Sequence, residues 1–176
     1  MNHALALEER GRVPEALAAF ERALELGPYA FAHMNYGRAL VNQGEFERGL
    51  AHLATAVDLF PSSPDVHLYH GIGLLMAGRT AEARPALERA LELRPESMIA
   101  RRYLAELAQK EGDWSAAAEQ WRAYLALDPA PAWVWFNLGF ALQRAGRGAA
   151  SVAAYRELLA RDPQHAQGKF NLAWEL

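Results

Sequence analysis

The sequence predicts an all-α protein, a solenoid of antiparallel helix pairs, and three observations carry that expectation. The first is a phrase that returns at a fixed period. FERALELGP near residue 20 comes back as LERALELRP near residue 87, with LATAVDLFP, WRAYLALDP and YRELLARDP as looser copies. Their closing prolines are Pro28, Pro61, Pro95, Pro129 and Pro163, spaced 33 or 34 residues apart. A constant period in this range marks a repeat architecture. The second is apolar spacing: within 131–163 the apolar residues fall at 135, 138 and 142 and again at 152, 155, 158 and 159, which is helical rather than alternating. The third is a glycine between the two runs of each period, namely Gly11, Gly44, Gly78, Gly112 and Gly146, each placed as a helix stop.

Each period therefore reads as two helices of about a dozen residues joined by a short turn. In chain order, 1–28 is a partial repeat whose second helix opens at Pro14, where a missing N–H is harmless. Complete repeats occupy 29–61, 62–95, 96–129 and 130–163, and 164–176 is a lone terminal helix, all within one domain spanning 1–176. Pro85 falls about one turn inside its helix, so a modest bend is expected there. Small residues mark where paired helices approach closely: Gly37, Gly71, Ala105 and Gly139 on first helices, and Ala16, Gly49, Ala83, Ala117 and Ser151 on second helices. A larger side chain there would overpack the pair, at a cost of roughly 1–3 kcal/mol. The last helix leaves Phe170, Leu172, Trp174 and Leu176 without sequence to cover them. The expectation is a fragment of a longer protein that joins end to end as a homodimer through this uncapped helix.

Composition narrows the function classes. With 52% apolar and 22% charged residues the chain is a folded protein and not a disordered one. It has no cysteine, which removes disulfides, thiol nucleophiles and cysteine-ligated metals. A net charge of −3 with both signs interspersed gives no case for nucleic acid. The opening MNHALALEERGR has no apolar run of the signal-peptide kind, and no stretch is long and apolar enough to span a membrane. The reading that follows is a cytoplasmic protein, bacterial by its alanine, leucine and arginine bias.

Little in the residues points to chemistry. His67 and His70 are three apart on one helix but face the packing side, so they read as structural rather than as metal ligands. GIG at 71–73 lies inside a helix and is no phosphate loop, and Glu8 and Glu9 are ordinary solvated carboxylates. No nucleophile and base are grouped, so the chain reads as a non-enzyme with no cofactor and no metal.

The repeating residues resemble the tetratricopeptide repeat family. Trp135, Leu138, Gly139, Leu142, Tyr155 and Pro163 match its signature, as do Gly71, Leu74, Ala83, Leu87, Ala90 and Pro95, with histidines at 67 and 70 replacing the aromatic and the leucine. Tyr124 and Leu158 depart from it, standing where a small residue is usual, and there irregular stacking is expected. The resemblance implies a right-handed superhelix whose first helices line a concave groove for a peptide or helix of a protein partner.

The first helices furnish that groove in the sequence. Helix 131–145 has two apolar stripes: Trp135, Leu138 and Leu142 serve the repeat itself, while Trp133, Phe136 and Phe140 need cover from a neighbouring repeat or a ligand. The same face reads Phe31, Met34, Arg38, Val41, then Asp65, Leu68, Ile72, Leu75, then Ile99, Arg102, Glu106, Gln109, ending in Phe170 and Trp174. Phe136, Phe140, Phe170 and Trp174 are the expected aromatic patch for a partner. Beside them runs Asn2, Asn35, Tyr69, Tyr103, Asn137, Asn171, which is similar to the asparagine ladder of the repeat domain in the protein O-GlcNAc transferases. Asparagine is also the common scaffold residue at that position of the family. No set of lysines and asparagines matches the family's clamp for acidic C-terminal tails, which argues against such a partner. Two functions stay open: a free-standing scaffold or adaptor, or the partner- or substrate-docking region of a larger bacterial enzyme, glycosyltransferase- or sulfotransferase-like.

Overall fold

The computed structural model describes residues 2–27 and 29–175, with the side chain of Asn2 left out; Pro28 and Leu176, named above as a closing proline and an uncovered leucine, lie outside the described residues. The described residues form eleven α-helices and no strand. They group into two compact units, Met1–Pro95 and Glu96–Leu176.

The first unit holds α1 (Asn2–Glu9), α2 (Val13–Glu25), α3 (Ala30–Asn42), α4 (Phe46–Leu59), α5 (Pro64–Met76) and α6 (Thr80–Leu93). The second holds α7 (Met98–Glu111), α8 (Trp114–Leu127), α9 (Ala132–Arg144), α10 (Gly148–Arg161) and α11 (Ala166–Glu175). Paired helices pack on each other, and within a unit neighbouring hairpins also touch: in the first unit α3 packs on α4 and α5, in the second α8 on α7 and α9. Pro14 sits at the start of α2, and Pro85 lies inside α6, which continues through it.

The hairpin turn is one motif used five times. Gly44 stands at φ 82° and Gly112 at φ 81°, left-handed positions that only glycine adopts without strain. The residue after each turn glycine donates its N–H back to the carbonyl five residues earlier. These bonds are Arg12 to Leu7 (2.9 Å), Glu45 to Leu40 (3.0 Å), Arg79 to Leu74 (2.8 Å), Asp113 to Ala108 (2.9 Å) and Arg147 to Leu142 (2.9 Å). This Schellman arrangement satisfies carbonyls that a helix end would otherwise leave unpaired.

Within each hairpin a large residue of the second helix is set against a small one of the first. Phe20, Leu53, Leu87, Trp121 and Tyr155 recur at the repeat period, and all are 0% exposed. Burying a side chain of this size contributes about 1.5–3 kcal/mol. A Cβ on Gly37 would lie 2.7 Å from the carbonyl oxygen of Gly49 and 2.8 Å from Leu53, and one on Gly49 would lie 2.6 Å from Val41. Gly37 and Val41 thus meet Leu53 and Gly49 in reverse order, so α3 and α4 are antiparallel. Likewise a Cβ on Gly71 would strike Leu87, and one on Gly139 would strike Tyr155, each at 2.7 Å.

The step from one hairpin to the next is also fixed. Six residues after the closing proline, a ring N–H donates back to its carbonyl: His67 Nε2 to Pro61 at 2.8 Å and Trp135 Nε1 to Pro129 at 2.9 Å. This gives His67 a structural role in the aromatic's place. Arg161 Nε donates to the same Pro129 oxygen at 2.9 Å and lays its guanidinium 4.9 Å from the Trp135 ring centre.

The two departures from the repeat signature are absorbed differently. Leu158 is fully buried, and its Cδ2 lies 2.5 Å from where a Cβ on Gly168 would be, so α11 has surrendered a side chain to admit it. Tyr124 turns aside to meet Trp133 edge-on at 5.6 Å. This exchange of volume predicts a coupled pair. Gly168→Ala alone and Leu158→Ala alone each lower stability, by about 1–3 kcal/mol for overpacking and about 2–5 kcal/mol for the cavity. The double variant should lose less than the sum of the two. Urea denaturation of the four proteins measures the coupling, and simple additivity would show that the two residues do not share space.

Candidate functional site

In the first unit the face singled out from sequence is largely consumed by packing. Met34 is buried in the core that α3, α4 and α5 share with Val41, Leu53 and Val66, and Asn35 is buried beside it. Arg38 spans three helices: its Nη2 donates to Glu8 of α1 at 2.7 Å, and its guanidinium lies 5.8 Å from the Tyr69 ring of α5. Tyr69 and Ile72 are half-buried. Asp65 is held by both terminal nitrogens of Arg94, at 2.7 and 3.1 Å.

The hairpin α3–α4 also carries a polar cluster that sequence reading did not single out. Tyr36 donates its hydroxyl to Glu21 of α2 and accepts from Arg48 of α4 at 3.1 Å. Burial, with the adjacent carboxylate, pushes the Tyr36 phenol up to about 12. Next to it His33 and His52 meet Nδ1 to Nδ1 at 3.0 Å, so one ring donates and the other accepts. Such a bond exists only if at least one ring is neutral. Burial lowers the pKa of both, and for His52 the neighbouring His33 adds to it.

The second unit keeps its face open. In α7, Arg102 lies 4.8 Å from the Tyr103 ring centre and 3.8 Å from the carboxylate of Glu106, whose pKa is raised by burial against the opposing pull of Arg102. Further along, α7, α8, α9 and α11 enclose a groove of about 420 Å³. Its aromatic walls are Phe136 and Phe140 of α9 and Trp114 of α8. Its polar members are four carboxamides, Gln109, Asn137, Gln167 and Asn171. Phe140 meets Trp114 edge-on at 5.6 Å, and Phe136 lies 4.9 Å from the ring of His165. The size falls in the range of ligand clefts, roughly 300–1,000 Å³.

The amides differ in what they have left to offer. Asn171 donates to Tyr155 Oη at 2.9 Å and accepts from Gln167 Nε2 at 2.9 Å, while Tyr155 in turn donates to Gln143 at 3.0 Å. Asn137 donates to the Trp133 carbonyl of its own helix at 2.9 Å. Gln109 Nε2 is buried with no acceptor among the described residues. A buried donor left so costs about 1–3 kcal/mol, which a guest's acceptor would relieve. Two of the asparagines expected to hold a peptide backbone, Asn137 and Asn171, are thus bonded within the protein, while the Nε2 of Gln109 stands unpaired.

The expected aromatic patch separates into two parts. Phe136 and Phe140 line the groove, whereas Phe170 and Trp174 of α11 stack on each other at 6.5 Å and are 63% and 75% exposed. Trp133 packs its edge on Trp121 at 5.7 Å and stays 43% exposed. A second hollow of about 550 Å³ lies between α8, α9 and α10, walled by alanines, leucines and Trp135, with Arg122 and Glu157 as its polar members. Among the described residues no three or more His, Cys, Asp or Glu are grouped to hold a metal, and no helix is long and apolar enough to cross a membrane.

Residues 1–67, 68–132, 105–166 and 136–174 match the family model described as Tetratricopeptide repeat. The chain belongs to this family. A stretch of 75 residues, 43% of the chain, is 37% identical to the type IV pilus assembly protein PilF of Pseudomonas aeruginosa. The match takes in 30% of that relative's length, so the chain spans under a third of it. Among solved structures, YrrB, described as a TPR protein with an unusual peptide-binding site, superposes with a TM-score of 0.80 at 23% identity over 100% of this chain and 90% of its own. MamA does so with a TM-score of 0.83 at 19% identity, over 95% and 98% of the two chains. MamA of Desulfovibrio magneticus RS-1 gives 0.81 at 19% identity, over 94% of each.

The histidine pair predicts an acid-dependent loss of stability. Because the folded pKa values of His33 and His52 lie below the ordinary value of 6.5, the unfolded chain binds more protons just below that pH. Their contribution is complete above pH 6.5 and is lost as pH falls through the folded values. The charged groups facing the pair are Glu21 and Arg48. The urea midpoint should fall on acidification below pH 6.5, and the double variant His33→Gln/His52→Gln should flatten that fall. An unchanged pH profile in the variant would place the titration elsewhere.

Proposed function

We propose that the chain is a non-catalytic interaction scaffold and that the groove of its second unit holds a segment of a protein partner. The observation that supports this most is the groove itself: three aromatic side chains around a buried, unpaired Gln109 amide, in a repeat whose own core is complete without them. Aromatic anchors in desolvated pockets dominate binding energy, at about 2 kcal/mol or more each. The lining holds carboxamides and rings, which neither take nor release protons near neutral pH, so it has no candidate for acid–base or nucleophilic work. The likeness to YrrB, described as having a peptide-binding site, agrees with a peptide guest. The likeness to a pilus assembly protein agrees with an assembly scaffold.

The test is capture. Phe136→Ala/Phe140→Ala should abolish retention of the partner by the immobilised protein while its circular dichroism stays helical. Retention unchanged in the variant would remove the groove from the function.

The same reading gives the chain a self-contact. Phe170 and Trp174 form an exposed stacked pair on α11, through which two copies join. Sedimentation velocity should show dimer at high concentration and its loss in Phe170→Ala/Trp174→Ala, and a monomer at every concentration would refute this contact.

A further inference from the structure

The groove is uncharged throughout, and that restricts what it can hold. Its lining offers rings and carboxamides only. Two of the charges on the helices around it already have partners: Arg144 lies 4.8 Å from the Trp114 ring centre, and Arg102 lies 3.8 Å from Glu106. An aspartate seated against Phe136 and Phe140 would shed water and find no countercharge, and a lysine would find only ring faces, of which that of Trp114 is already taken by Arg144.

Hydrogen bonding restricts the guest's backbone as well. Gln109 Nε2 is buried and needs an acceptor, whereas Asn171 already donates one N–H and accepts at its oxygen, and Asn137 donates one N–H to its own helix. The natural neutral acceptor is a peptide carbonyl. In a helix, carbonyls are bonded internally except in the last turn, but in an extended chain each one is free. A helical guest would bring apolar side chains and leave Gln109 unpaired.

Resting on the groove reading above, we propose that the guest is an extended, uncharged stretch of peptide. It places one bulky apolar side chain, aromatic or proline, between Trp114, Phe136 and Phe140, and accepts from Gln109 with a backbone carbonyl. Recognition is then insensitive to ionic strength and indifferent to acidic or basic tails. Specificity comes from excluding charge rather than from pairing it.

A library of random dodecapeptides displayed on phage, selected on this protein and counter-selected on Phe136→Ala/Phe140→Ala, tests the proposal. Recovered peptides should be depleted in Asp, Glu, Lys and Arg at their centre and should carry an aromatic residue or proline there. Synthetic copies, followed by fluorescence anisotropy, should change affinity less than about twofold between low and high salt. They should bind about 5–10-fold more weakly to Gln109→Leu, the loss expected for one hydrogen bond. They should gain no helical circular dichroism on binding. Groove-dependent peptides that are charged, salt-sensitive, helical when bound or indifferent to Gln109→Leu would overturn the proposal and leave the groove reading standing. If no peptide distinguishes the protein from the phenylalanine variant, both fall.

Discussion

Two helices touch at backbone distance only where neither bears a side chain to keep them apart. In α3 and α4 that condition is met by Gly37 facing Gly49, where an added Cβ would lie 2.7 Å from the opposite carbonyl oxygen. The contact works because its neighbours are large: Leu53 closes over Gly37, Leu87 over Gly71 and Tyr155 over Gly139. One small and one large residue per hairpin set both the separation of the helices and the centre of each local core. What the pairing leaves over is the other side of the first helix, and the groove is made there. The groove is thus a by-product of how the hairpin closes.

Between hairpins the linkage is short-range. A ring N–H at the head of one repeat returns to the proline carbonyl that ends the previous one, through His67 in one case and Trp135 in another. Contacts of this kind join sequence neighbours, so stability builds from each hairpin and its nearest partner rather than from one central core. A histidine and a tryptophan make the same bond at this place because each offers a ring N–H.

These features explain what could be read from sequence. Turn glycines, small contact residues and buried large residues depend on geometry inside one hairpin, and that geometry leaves a periodic mark. Phe136 and Phe140 were legible for the same reason, as a second stripe that the hairpin had no use for. The parts that escaped depend on neighbours. Met34 shares the open-looking face, yet α4 and α5 bring enough volume to bury it, and Asn35 is buried as well. Asn171 matches the ladder position but is spent on Tyr155, a bond that only the packing of α10 on α11 reveals. Trp114 and Gln167 entered the groove unforeseen, Trp114 because attention to first helices passes over a residue at the start of a second helix. His33 and His52 are nineteen residues apart and carry no motif; only the register of α3 on α4 brings them within 3.0 Å.

The pairing of Leu158 with the bare backbone of Gly168 means that successive hairpins are keyed to one another and are not equivalent bricks. A first helix taken from elsewhere in the chain, with valine or alanine at that place, would collide with Leu158, and Gly168 set against a smaller residue would leave a void. Duplicated or recombined copies of this gene would therefore resist exchange across α10 and α11, as they would across α4 and α5, where a Cβ on Gly73 would lie 2.8 Å from Leu53. The order of the units is written in steric locks, and genetic drift toward a uniform repeat is checked at those junctions.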